Sequence, residues 1–141
     1  VLVGGLEASG VLDIMSHAIR GMMTDNLLAS AIGLLWVAAL LSAIVDNIPF
    51  TIAMIPVIQR LGEIGVPLSP LWWALAIGAG FGGNGTPIGS TAGVLTAAMS
   101  EKTDAPITFK IWIRSGLPVT IVSCLIATMV FALLFNWMKT P

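Results

Sequence analysis

Charge is what this sequence has least of. Only 9% of its 141 residues are Asp, Glu, Lys or Arg, while 57% are hydrophobic and the mean hydropathy is +0.99. Soluble domains carry about 25% charged residues, so this chain has too little polar surface to cover a core, and a soluble globular domain is excluded. A single cysteine, Cys124, excludes a disulfide framework and, lying inside an apolar run, leaves the redox compartment unread. There is one histidine, His17, and no tyrosine. With no nucleophile–base constellation and no metal-ligand spacing, an enzyme is not expected. The net charge of −1 and the scattered basic residues argue against a nucleic-acid partner or a polybasic lipid anchor.

What is present is long apolar runs. Leu27–Val45 and Leu117–Phe135 each extend for nineteen residues without a charge, close to the roughly 20 that a helix needs to cross a hydrocarbon core of about 30 Å. An all-α integral membrane protein follows. The opening VLVGGLEASG has no basic n-region and no initiator Met, so it is not a signal peptide. It reads as the end of a preceding helix, and the chain as the C-terminal part of something longer.

Residues 6–25 mix Leu6, Val11, Leu12, Met15 and Ile19 with Glu7, Asp13, His17 and Arg20 at helical spacing, which predicts an amphipathic interfacial helix. On it His17 reads as a solvated side chain. The run from Leu27 stops at Asp46-Asn47-Ile48-Pro49, and the apolar stretch after it is too short to cross. Residues 27–60 therefore read as a re-entrant hairpin, with a complete span followed by a buried half-helix as the plainer alternative. Residues 71–99 hold no charge but are broken by the glycine-rich GAGFGGNGTPIGSTAG, which predicts an interrupted helix. In 107–114, Ile107, Phe109, Ile111 and Ile113 alternate like a strand, yet a lone strand at a membrane has no backbone partner. A short interfacial helix is expected there, then a transmembrane helix over 115–137 with Trp137 and Lys139 as interface anchors. Basic residues divide evenly between the two sides, so charge gives no orientation.

The glycine-rich loop formally matches GxGxxG at Gly80–Gly85, but that fingerprint needs a strand before it and a βαβ unit around it, so nucleotide binding is not expected. Close helix packing would explain Gly78, Gly80 and Gly82; it would not explain Asn84, Thr86 or Pro87. Irregular backbone at membrane depth survives when buried in protein or lining a water-filled cavity. Its carbonyls could hold a cation, and the half-helix N-terminus at 88–90 an anion. Asp46, beside a long uncharged run, has a matching pair of readings. It is either an interfacial residue or a functional carboxylate whose pKa burial would raise until protons and cations compete for it. The Met residues, Cys124 and the Trp residues 36, 72 and 73 read as packing or lipid-facing.

SAIVDNIPFTIAMIPVI followed by LWWALAIGAGFGGNGTPIG, with EKTDAPITFKIWIRSGLP downstream, resembles the C-terminal half of the ArsB/NhaD permeases. These are sodium/proton antiporters and arsenite exporters within the ion transporter superfamily, related to citrate and dicarboxylate carriers. The resemblance implies one half of an inverted-repeat transporter, in which hairpin tip and unwound loop meet near the midplane. Carried over, the substrate and ion site would use Asp46, Asn47, Thr51, Gly83, Asn84, Gly85 and Thr86, with Na⁺ at Asn47, Gly83, Asn84 and Thr86. No cofactor is implied beyond the coupling ion, Na⁺ or H⁺. The expected partners are the lipid bilayer, the N-terminal half, an inorganic ion substrate and a second copy in a homodimer. The expected location is a bacterial-type inner membrane. Na⁺/H⁺ antiport by alternating access is the first expectation. Arsenite or another oxyanion, or a citrate-like carboxylate, is the alternative, and a non-transporting scaffold subunit the rival of another class. One departure is Gly93 in GSTAG, where the family often has Asn.

Overall fold

The computed structural model describes residues 21, 26–63 and 65–138. The described residues contain no strand. Five helices follow in order: α1 Leu27–Ser42, α2 Asn47–Glu63, α3 Ser69–Gly82, α4 Thr91–Ser100 and α5 Phe109–Met138. The interfacial helix expected over 6–25 lies outside the described residues, apart from Gly21.

Helix ends follow from local chemistry. Asn26 caps α1, its side chain accepting from Leu28 N at 3.0 Å. Asp46 does the same for α2, with its Oδ1 accepting from Ile48 N at 3.1 Å and its carbonyl from Phe50 N at 3.2 Å. Pro49 and Pro70 sit in the first turns of α2 and α3, where a missing N–H costs nothing. Pro56 and Pro118 lie inside α2 and α5, and each removes one amide donor from its helix.

Lengths sort the helices. α1 has 16 residues and α3 has 14, about 24 and 21 Å of rise, less than a bilayer core. α1 stops at Ser42, before the apolar run does. α5 has 30 residues, about 45 Å, and among the described residues it supplies the helix long and apolar enough to cross a membrane. It is one continuous helix. The helix expected over 107–114 is present from Phe109 and runs without interruption into the span expected over 115–137. Thr120, Cys124, Ala127, Phe131 and Phe135 are buried at spacings of three and four. Val119, Val122, Ile126, Met129 and Leu133 on the other face are exposed, which suits a helix with one side against protein and one against lipid.

The core lies between α1 and α3, the most extensive helix pair. Leu34, Leu35 and Ala38 of α1 meet Leu71, Ala74 and Leu75 of α3, with Met54, Val57 and Ile58 of α2 and Phe131 of α5 closing it. In a bilayer, apolar burial gives no driving force between helices, so close packing and interhelical hydrogen bonds must hold them. Both are present. A Cβ on Gly78 or Gly82 would run into the backbone of Leu35 or Ala39, so these glycines set how near α3 comes to α1. Gly80, in contrast, faces open space. Trp36 Nε1 donates to Thr128 Oγ1 at 3.1 Å and Ser42 Oγ to Ala79 O at 2.8 Å. Among the described residues, α4 packs against none of the other four helices.

Candidate functional site

Two helix interruptions face each other. One is 43–46 between α1 and α2; the other is 83–90 between α3 and α4. The α1–α3 packing brings them together, since both helices end at the same level, where Ser42 reaches Ala79. Thr86 Oγ1 then donates to Ala43 O, and Asn47 N donates to Gly89 O at 3.3 Å. Thr91 Oγ1 donates to Asp46 Oδ2 at 2.5 Å, linking residues 45 positions apart. The N-termini of α2 and α4 therefore meet at one carboxylate.

None of the loop glycines has a positive φ; among the described residues that conformation is confined to Gly65. Crowding, not backbone freedom, explains their number. A Cβ at Gly93 would lie 2.7 Å from Pro87 O and 3.1 Å from Ser90 Oγ. The Asn that the motif family often carries there has no room in this chain.

Asp46 is half-buried, and a hydroxyl and an N–H point at its carboxylate. Donors to a carboxylate favour its charged form, opposing the effect expected from burial. Asn47 lies next to Gly83, its Nδ2 3.5 Å from where a Cβ on that glycine would be. Asn47 and Thr51 also line a groove of about 310 Å³ with Ile48, Ile52, Ala76, Ala79 and Gly80. Gly85 is buried against Ala43 and Thr120, a Cβ there lying 3.3 Å from Ala43 Cβ and 3.6 Å from Thr120 Oγ1. Thr86 is committed to Ala43. Asn84 is exposed, and its carbonyl accepts from Trp112 Nε1 at 3.0 Å.

Asp46, Asn47, Gly83, Gly85 and Thr86 thus belong to the junction of the two breaks. Thr51 faces the adjoining groove, and Asn84 is tied to α5. Among the described residues no group of three or more His, Cys, Asp or Glu could hold a metal ion, so a cation here would depend on carbonyl, amide and hydroxyl oxygens with the one carboxylate. Sequence reasoning missed Ser42, Gly89, Thr91 and Trp112. The only signal for Thr91 was its place just after the loop, at the start of a helix.

Comparison with known proteins gives a family. Residues 1–78 match the family model described as citrate transporter. The P protein of Homo sapiens is 45% identical over 103 residues, covering 71% of this chain and 12% of that protein. An uncharacterized transporter of Mycobacterium tuberculosis is 37% identical over 142 residues, covering 99% of this chain and 32% of the relative. Another, from Synechocystis, is 31% identical over 149 residues, covering 94% and 33%. The chain thus spans about a third of these bacterial relatives and about an eighth of the human one. No solved structure matches significantly. From the family match over more than half of its length, the chain belongs to the citrate transporter family, whose members are integral membrane transporters of the ion transporter superfamily and not enzymes.

Proposed function

We propose that this chain supplies one half of the substrate and coupling-ion site of a secondary active transporter working by alternating access, and that its substrate bears a carboxylate carried with a cation. The observation behind this is the meeting of the α2 and α4 N-termini at Asp46 and Thr91. A helix N-terminus carries roughly half a positive charge. Two of them offset one carboxylate, leaving a junction that can take an anion together with a cation. Broken helices presenting such ends to a substrate are a recurring transporter device. The description of the matched family favours the same substrate class.

The second reading is Na⁺/H⁺ antiport of the ArsB/NhaD type. Asp46 favours it as the carboxylate of the junction, with Asn47, Gly83, Asn84 and Thr86 as the oxygen donors for Na⁺. Arsenite or another oxyanion would use the two helix ends without Asp46. In each reading 27–60 is a re-entrant hairpin, an upstream repeat closes the other side of the site, and the protein resides in a bacterial-type inner membrane.

The test is transport by the full-length protein in proteoliposomes, with radiolabelled citrate and succinate outside and a pH dye inside. Uptake that needs a Na⁺ or proton gradient supports the carboxylate reading. A pH change driven by Na⁺ without uptake of either acid replaces it with antiport. Neither signal from folded protein would leave the scaffold rival standing.

A further inference from the structure

We propose that Thr91 is a positioning residue of the transport site: its hydroxyl, through the Asp46 carboxylate, holds the N-terminus of α4 in register with that of α2. This rests on the reading of that junction as part of the site.

Among the described residues little else holds α4 beyond the bond from Asn47 N to Gly89 O in the loop before it. The helix packs against none of the other four described helices, and Gly93 is its one buried residue. At its far end Ser100 Oγ accepts from Ile107 N at 2.9 Å, tying it to the segment that leads into α5. At its near end the 2.5 Å bond from Thr91 to Asp46 joins its first residue to the α1–α2 break.

Nor is the Thr91 hydroxyl needed for capping. Ser90 caps α4 by accepting from Gly93 N at 3.1 Å, so the Thr91 oxygen is free to act between helices. Asp46 is likewise divided: Oδ1 takes Ile48 N of its own helix, and Oδ2 takes Thr91. One carboxylate thus caps α2 and aligns α4. The helix dipole acts only over its first turn, so a small shift of α4 removes its contribution to a bound anion. Thr91 therefore sets affinity and not turnover.

The test uses the full-length protein with Thr91→Val, which keeps the shape and loses the donor, and Thr91→Ser, which keeps the donor. KM and Vmax are read in proteoliposomes for citrate in a Na⁺ gradient, or for Na⁺-driven pH change if that is the wild-type activity. Thermal unfolding in detergent is read for the same variants, alone and in an Asp46→Ala background. Thr91→Val is expected to raise KM about tenfold, the scale of a hydrogen bond to a charged group, with Vmax within about twofold. Thr91→Ser should restore KM. A wild-type KM in Thr91→Val, or equal losses in both variants, overturns the inference. If the wild type transports neither solute, the functional reading fails, and the melting data decide this one. A fall in Tm from Thr91→Val that disappears in Asp46→Ala upholds the link; an equal fall in both backgrounds removes it.

Discussion

The indole N–H of Trp112 donates to the carbonyl of Asn84 at 3.0 Å, so the first turn of α5 holds the interruption that follows α3. Beneath it, a Cβ on Gly116 would lie 2.8 Å from that same carbonyl and 3.0 Å from the indole. Trp112→Phe keeps most of the ring and loses the donor, and should cost about 1 kcal/mol. Limited proteolysis of the full-length protein should then cut faster within 83–90. An unchanged cleavage rate would mean that the bond does not restrain the loop.

The α1–α3 contact predicts opposite outcomes for neighbouring glycines. Gly78→Ala and Gly82→Ala press a methyl group into the α1 backbone, and overpacking costs about 1–3 kcal/mol or more. Gly80→Ala meets open space and removes a glycine from a helix, a gain of about 0.5–1 kcal/mol. Size-exclusion profiles and melting in detergent should separate the first two from the third. Equal behaviour of all three would contradict the packing described.

Asp46 carries two duties that two substitutions can part. Asp46→Ala removes the cap of α2 and should lower stability by about 1 kcal/mol. Asp46→Asn keeps an acceptor for Ile48 N and should melt near the wild type, while removing the charge that a coupling cation needs. Cation-coupled transport in proteoliposomes should therefore fail in Asp46→Asn at normal expression. Coupling that persists there would show that the charge of Asp46 is not needed by the coupling cation.

Gly93→Asn would introduce the residue frequent in the ArsB/NhaD permeases that the motif resembles, yet the Pro87 carbonyl occupies the space. The expected result is loss of transport with faster proteolysis at 83–90, not a new substrate preference. Normal uptake with altered selectivity among carboxylates and oxyanions would refute the steric argument.

The membrane class, the helical content and the neighbourhood of each break could be read from the sequence, although α1 ends at Ser42, ahead of the expected stop at Asp46. Each depends on local properties. Sparse charge and long apolar runs demand lipid and helices; Pro49, Pro87 and the residues around them act on the backbone within a few positions. At 107–114 the alternation of Ile and Phe looked like a strand, and it was the membrane's demand for satisfied backbone groups that pointed to the helix found from Phe109 to Met138. That Thr91 meets Asp46, that the Asn84 carbonyl turns to Trp112 instead, and that Gly93 has no room for a side chain emerge from the packed helices alone. These relationships join residues 45, 28 and 6 positions apart. They exist because Gly78 and Gly82 let α3 lie against α1 closely enough to bring both breaks to one level. A hydrogen bond extends only about 3 Å, so which donor finds Asp46 depends on helix packing that no short stretch of sequence encodes.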